Sequence, residues 1–81
     1  MKVYVHLFGL ARERVGRNVI EVEVRAPATA GDVAAQLLLR HMELGDLLRT
    51  AAVAVDREFA KMDTPVHEAS EVALLPTVSG G

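Results

Sequence analysis

The stretch K-V-Y-V-H-L-F at residues 2–8 decides the fold, together with its counterpart E-V-A-L-L at residues 71–75. In the first, Val3, Val5 and Leu7 alternate with Lys2, Tyr4, His6 and Phe8, the period of two that a strand with one buried face requires. In the second, Val72 and Leu74 face one way while Ala73 and Leu75 face the other. Apolar strands at opposite ends of a chain, with one long helical segment between them, pack best side by side and parallel in the middle of a mixed sheet, leaving the helix to cover one face.

Working outward from residue 8, G-L-A-R-E-R-V-G at residues 9–16 reads as a polar connection with one helical turn, bounded by glycines able to take positive φ. Arg12, Glu13 and Arg14 fall within it and read as a solvated loop. Ile20, Val22 and Val24 then alternate with Glu21, Glu23 and Arg25 as a second strand, which Pro27 ends by removing a ladder donor. Thr29 stands at an N-cap position with Asp32 three residues on, a weaker form of the capping box, and a helix is expected over 32–41. Its inward stripe is Val33, Ala34, Leu37, Leu38 and His41, with Gln36 and Arg40 toward water.

A short helical turn at 43–49 restarts after Gly45, and A-A-V-A-V at 51–55 reads as a central strand packed on both sides. Asp56-Arg57-Glu58 turns the chain into a short strand near Phe59, and residues 63–65 and 68–70 are turns. The order is ββαββ with one late strand. The expected class is α+β: a β-grasp, with a mixed sheet, one main helix on one face, and a core of Val3, Val5, Leu7, Ile20, Val22, Val24, Val33, Leu37, Leu38, Val53, Val55, Val72 and Leu74. No repeat or linker interrupts it, so residues 1–81 read as one domain, with 76–81 as an extended flexible tail.

Composition narrows the chemistry. The chain has 81 residues, 51% of them hydrophobic, but its only aromatic side chains are Tyr4, Phe8 and Phe59, so the core is aliphatic. Phe8, Phe59 and Leu75 fall outside the helix-facing pattern and are expected to form an apolar patch for a partner. The absence of cysteine excludes disulfides, thiolate zinc sites and a thiol nucleophile. A net charge of −2 with no block of Lys or Arg argues against nucleic acid and anionic membrane. No apolar run approaches about 18 residues, so a cytoplasmic protein without a membrane span is expected. His6, His41 and His67 are scattered without metal spacing, so no metal is expected, and Ser79 has no base near it in sequence.

The remaining candidate is L-L-P-T-V-S-G-G at residues 74–81. With Gly at about 7% of residues, a final pair arises by chance in roughly one chain in 200. Beyond Pro76, residues 77–81 can reach about 16 Å from the body at ~3.3 Å each. Without β-carbons, Gly80 and Gly81 can pass a narrow channel and leave the α-carboxylate open to attack or activation.

Four stretches, V-Y-V-H-L-F-G-L-A-R-E-R-V-G at 3–16, A-V-A-V-D at 52–56, D-T-P-V at 63–66 and E-V-A-L-L-P-T-V-S-G-G at 71–81, resemble the ubiquitin-like sulfur-carrier family, above all the small subunits of molybdopterin synthase. The resemblance implies that an adenylyltransferase of the ubiquitin-activating type uses ATP to adenylate Gly81, after which a sulfur donor makes a terminal thiocarboxylate. No permanently bound cofactor is expected. The large subunit of molybdopterin synthase would take the tail, in a heterotetramer with two large subunits, and two such sulfurs become the dithiolene of molybdopterin. By the same resemblance the partner would hold the catalytic lysines and arginines, and this chain would be no catalyst alone. Gly81 would be the reacting residue, Gly80 the fit in the channel, and Phe8, Arg12, Phe59, Leu75, Pro76, Val78 and Ser79 the partner-binding residues.

Two positions depart from the family pattern. Asp56-Arg57 stands where Asn, commonly followed by Gly, is usual, which disfavours a tight type I′ turn. Leu74-Leu75 replaces an often aromatic pair. Alternatives are a carrier for thiamine or cysteine synthesis, or a ubiquitin-like modifier joined to lysines.

Overall fold

The computed structural model describes residues 1–76; Val78, Ser79, Gly80 and Gly81, and the expectations attached to them, lie outside the described residues. The elements are β1 (Lys2–Leu7), α1 (Gly9–Val15), β2 (Val19–Glu23), β3 (Ala28–Thr29), α2 (Ala30–Arg40), a 3₁₀ turn (Met42–Leu44), α3 (Gly45–Leu48), β4 (Ala52–Val55), β5 (Glu58–Phe59), β6 (Pro65–Val66) and β7 (Val72–Leu75). Five strands form a mixed sheet in the order β2-β1-β7-β4-β5, in which β1 and β7 are parallel and every other pair is antiparallel. This is the ubiquitin-like β-grasp.

Register turns the sequence alternation into rows. Ile20, Val5, Val72 and Val55 lie side by side across four strands, and Leu7, Leu74 and Val53 form the next row. All are buried, and α2 lays Ala30, Val33 and Leu37 over them. Each such Val, Leu or Ile side chain removed from water contributes about 1.5–3 kcal/mol. Helix α2 starts where Thr29 caps it: the Thr29 hydroxyl accepts from the Asp32 N–H at 3.3 Å, and the Asp32 carboxylate accepts from the Thr29 N–H at 2.9 Å.

Four expectations are corrected. Residues 9–16 contain a seven-residue helix rather than a loop with one turn. The run L-A-R-E-R favours a helix, Ala11 is fully buried, and Gly9 at φ 55° and Gly16 at φ 81° supply the sharp entry and the left-handed C-cap.

Leu38 is half exposed, not core. The buried stripe of α2 runs Ala30, Val33, Leu37, and the next large core residue is Leu44, delivered by the 3₁₀ turn with no exposed surface. Leu38 lies over Gly45 instead.

A second, two-stranded sheet, absent from the ββαββ reading, pairs Ala28 with Val66 and Thr29 with Pro65 and closes the end of the core. Where it meets α2, the Gly31 N–H donates to the Met62 carbonyl at 2.8 Å. A β-carbon on Gly31 would lie 3.0 Å from that oxygen.

The β4–β5 connection is a tight two-residue turn after all. Val55 faces Glu58, and Asp56 and Arg57 both have positive φ, 52° and 72°, as a type I′ turn requires. Asp56 tolerates that conformation because its carboxylate accepts from the Glu71 N–H at 2.9 Å while its own N–H donates to the Glu71 carbonyl at 2.8 Å.

Candidate functional site

The face of the sheet away from α2 carries the row Val19, His6, Ala73, Ala54 and Phe59, one residue from each strand. Its two alanines are small, so the larger side chains around them stand up and leave a hollow. Phe8, Phe59 and Leu75 wall it, Ala54 and Ala73 floor it, and Arg57 and Glu71 complete it, enclosing ≈ 240 Å³. Phe59 is 81% exposed and Phe8 45%, whereas Leu75 is half-buried. The segment 42–48 does not cover them, because the 3₁₀ turn and α3 pack against α1 and α2.

The structure therefore brings together Phe8, Phe59 and Leu75. Pro76, half-buried, follows directly from Leu75 and marks where the chain runs on to residues 77–81. Arg12 is exposed on α1 and does not line the hollow. Its neighbour Arg14 is no free loop residue: its guanidinium donates to the Glu43 carbonyl at 3.0 Å and pairs with Asp46, tying α1 to α3. That hydrogen bond, then the attraction between the charges, holds the Asp46 carboxyl below its ordinary range and raises Arg14 above its own.

Sequence reading missed Arg57, Glu71, Ala54 and Ala73 as neighbours of the aromatic residues. They converge only through the cross-strand register of β4, β5 and β7, which no single-strand pattern carries.

A larger depression of ≈ 380 Å³ lies beside Arg25, Pro27, Asp32 and Gln36, but it is wide and of mixed lining, and the Asp32 carboxylate there already serves the α2 cap. Among the described residues no group of three or more His, Cys, Asp or Glu could hold a metal ion, and no helix is long and apolar enough to cross a membrane. The hollow is apolar and concave, and it lies on the strand that ends one residue before Pro76, the last described residue.

Residues 5–81 match the model of the ThiS family. The chain is 33% identical over 82 residues to the molybdopterin synthase sulfur carrier subunit of Mycobacterium tuberculosis, covering 100% of this chain and 99% of that one. It is 29% identical over 83 residues to the protein of the same name from Chlamydomonas reinhardtii, with 100% of both chains covered. The crystal structure of SAMP1, small archaeal modifier protein 1, from Haloferax volcanii superposes with a TM-score of 0.84 at 29% identity over 100% of both chains.

Proposed function

The chain belongs to the ThiS family, and from that premise we propose that it is the sulfur-carrying small subunit of a molybdopterin synthase, with sulfur held on the Gly81 carboxyl group. The observation that carries this reading is the end-to-end similarity to curated carrier subunits, which runs through Gly80 and Gly81. The residues agree with it: a chain without cysteine has no thiol on which to carry transferable sulfur, whereas a terminal carboxylate can be converted.

A carboxylate is a poor acyl donor because its leaving group would be oxide. In the proposed sequence the Gly81 carboxylate attacks the α-phosphorus of ATP on a ubiquitin-activating-type enzyme, pyrophosphate leaves, and an acyl adenylate forms. Sulfide equivalents from a donor then displace AMP and leave the thiocarboxylate. The large subunit takes the tail into its active site and receives the sulfur, two carriers being spent per dithiolene. Gly80 keeps the approach narrow, and Phe8, Phe59, Leu75 and Pro76 dock the body of the carrier.

The test is reconstitution with the activating enzyme, ATP, a sulfur donor and the large subunit. The chain should gain the mass difference between sulfur and oxygen, located on Gly81 by fragmentation. A chain lacking Gly80 and Gly81 should fold and bind the large subunit yet deliver no sulfur. Sulfur delivery equal to that of the full chain would remove the carrier reading.

A second reading is favoured by the superposition on a small archaeal modifier protein: the activated Gly81 carbonyl would be attacked by a lysine amine, with AMP leaving and an isopeptide forming. Conjugates of this chain on lysines of other proteins would identify that role.

A further inference from the structure

Arg57 is the second residue of the β4–β5 turn, and its φ of 72° lies in the left-handed region where a side chain is strained and glycine is not. Asp56 shares the positive φ but is held by two hydrogen bonds to Glu71. Nothing comparable holds Arg57. Among the described residues its guanidinium has no hydrogen-bond acceptor and no ion-pair partner. The residue is exposed, and it lines the hollow with Phe8, Phe59 and Leu75. An unpaired cation is thus set, at a conformational cost, beside an apolar floor and next to the strand that leads to Pro76.

We propose that Arg57 determines which acceptor enzyme the carrier docks on, by pairing with a carboxylate of the large subunit whose neighbouring apolar side chain fills the hollow. This rests on the sulfur-carrier reading above.

Charge complementarity selects that occupant. An apolar side chain alone would cover the guanidinium and strip its water without replacing it, and a basic one would be repelled. A carboxylate beside the apolar group satisfies both, because the planar guanidinium can donate two parallel hydrogen bonds to the two oxygens of one carboxylate. Glu71 on the same hollow balances the local charge, so discrimination comes from where the charges stand and not from a long-range field. The two hydrogen bonds between Asp56 and Glu71 fix that position by fastening the turn to the residue just before β7.

The experiment measures binding of the full chain to the purified large subunit of the same organism at low and high salt. Arg57→Gln and Arg57→Glu are compared with wild type, and Arg40→Gln, on the opposite side of the sheet, controls for net charge. Arg57→Gln keeps the strained backbone, and its thermal midpoint reports that the fold is intact.

The expected result is roughly a tenfold loss of affinity for Arg57→Gln and a larger one for Arg57→Glu. Wild-type affinity should fall with salt more steeply than that of Arg57→Gln, while Arg40→Gln binds as wild type does. Wild-type affinity in both Arg57 variants, a loss that is the same at every salt concentration, or a loss confined to the activating enzyme would each overturn the proposal. Self-association of wild type that Arg57→Gln abolishes would overturn it too, since the occupant would then be a second copy. If the wild-type chain acquires no sulfur on Gly81 and does not bind the large subunit, the carrier reading itself falls, and this inference with it.

Discussion

The two faces of one sheet are built from the same strands and do opposite work. On the inner face Ile20, Val5, Val72 and Val55 make an unbroken branched row sealed under Val33 and Leu37. On the outer face, one register step away, Val19, His6, Ala73, Ala54 and Phe59 leave a phenylalanine 81% exposed above two alanines. Strand propensity is common to both, so it explains neither. What differs is whether a second layer arrives, and the difference separates residues that hold the fold from residues free to recognise something.

That separation can be broken by mutation. Leu37→Ala, in the inner layer, should lower the unfolding free energy by about 2–5 kcal/mol, measured by urea denaturation. Phe59→Ala, on the outer face, should change stability by less than about 0.5 kcal/mol, yet weaken binding to the large subunit by about 1–3 kcal/mol in calorimetry. If Phe59→Ala destabilises as much as Leu37→Ala, the faces are not divided in this way.

Smaller effects sharpen the contrast. Thr29→Ala removes the cap that starts the covering helix and should cost about 1 kcal/mol of stability with no change in partner affinity. Asp46→Asn tests the α1–α3 tie and should have the smallest effect of the four. Because Arg14 depresses the Asp46 pKa in the folded state, the stabilisation is present above the ordinary value of 3.8 and is lost as the pH falls through the lower folded value. The stability difference between Asp46→Asn and wild type should therefore be constant near neutrality and shrink in acid below that value.

Much of the inner face was legible in the sequence, because alternation in residues 2–8, 20–25 and 71–75 is imposed by burial and needs no partner strand to be read. The Thr29–Asp32 cap was legible for a similar reason: both of its hydrogen bonds are local. Leu38 is ambiguous in the sequence because two adjacent leucines on a helix compete for one stripe, and the position further along the core goes to Leu44 from outside the helix. The pairing of Ala28 with Val66 was invisible because two-residue strands have no period. On the outer face Phe8, Phe59 and Leu75 stand out as misfits to the inward pattern, but Arg57 does not, since its place in the hollow depends on register and on a turn that the residue types Asp-Arg disfavour. Composition made the turn look improbable; the two Asp56–Glu71 hydrogen bonds made it possible.

The position of β7 between β1 and β4 also has a mechanical consequence. A pull transmitted through Pro76 acts along β7 and across its ladder hydrogen bonds, slanted to the parallel β1 over three residue pairs and perpendicular to the antiparallel β4 over four. Such a load shears both ladders at once, so their bonds resist together instead of parting one after another as at a sheet edge. A load on β7 is therefore borne by a strand anchored on both flanks.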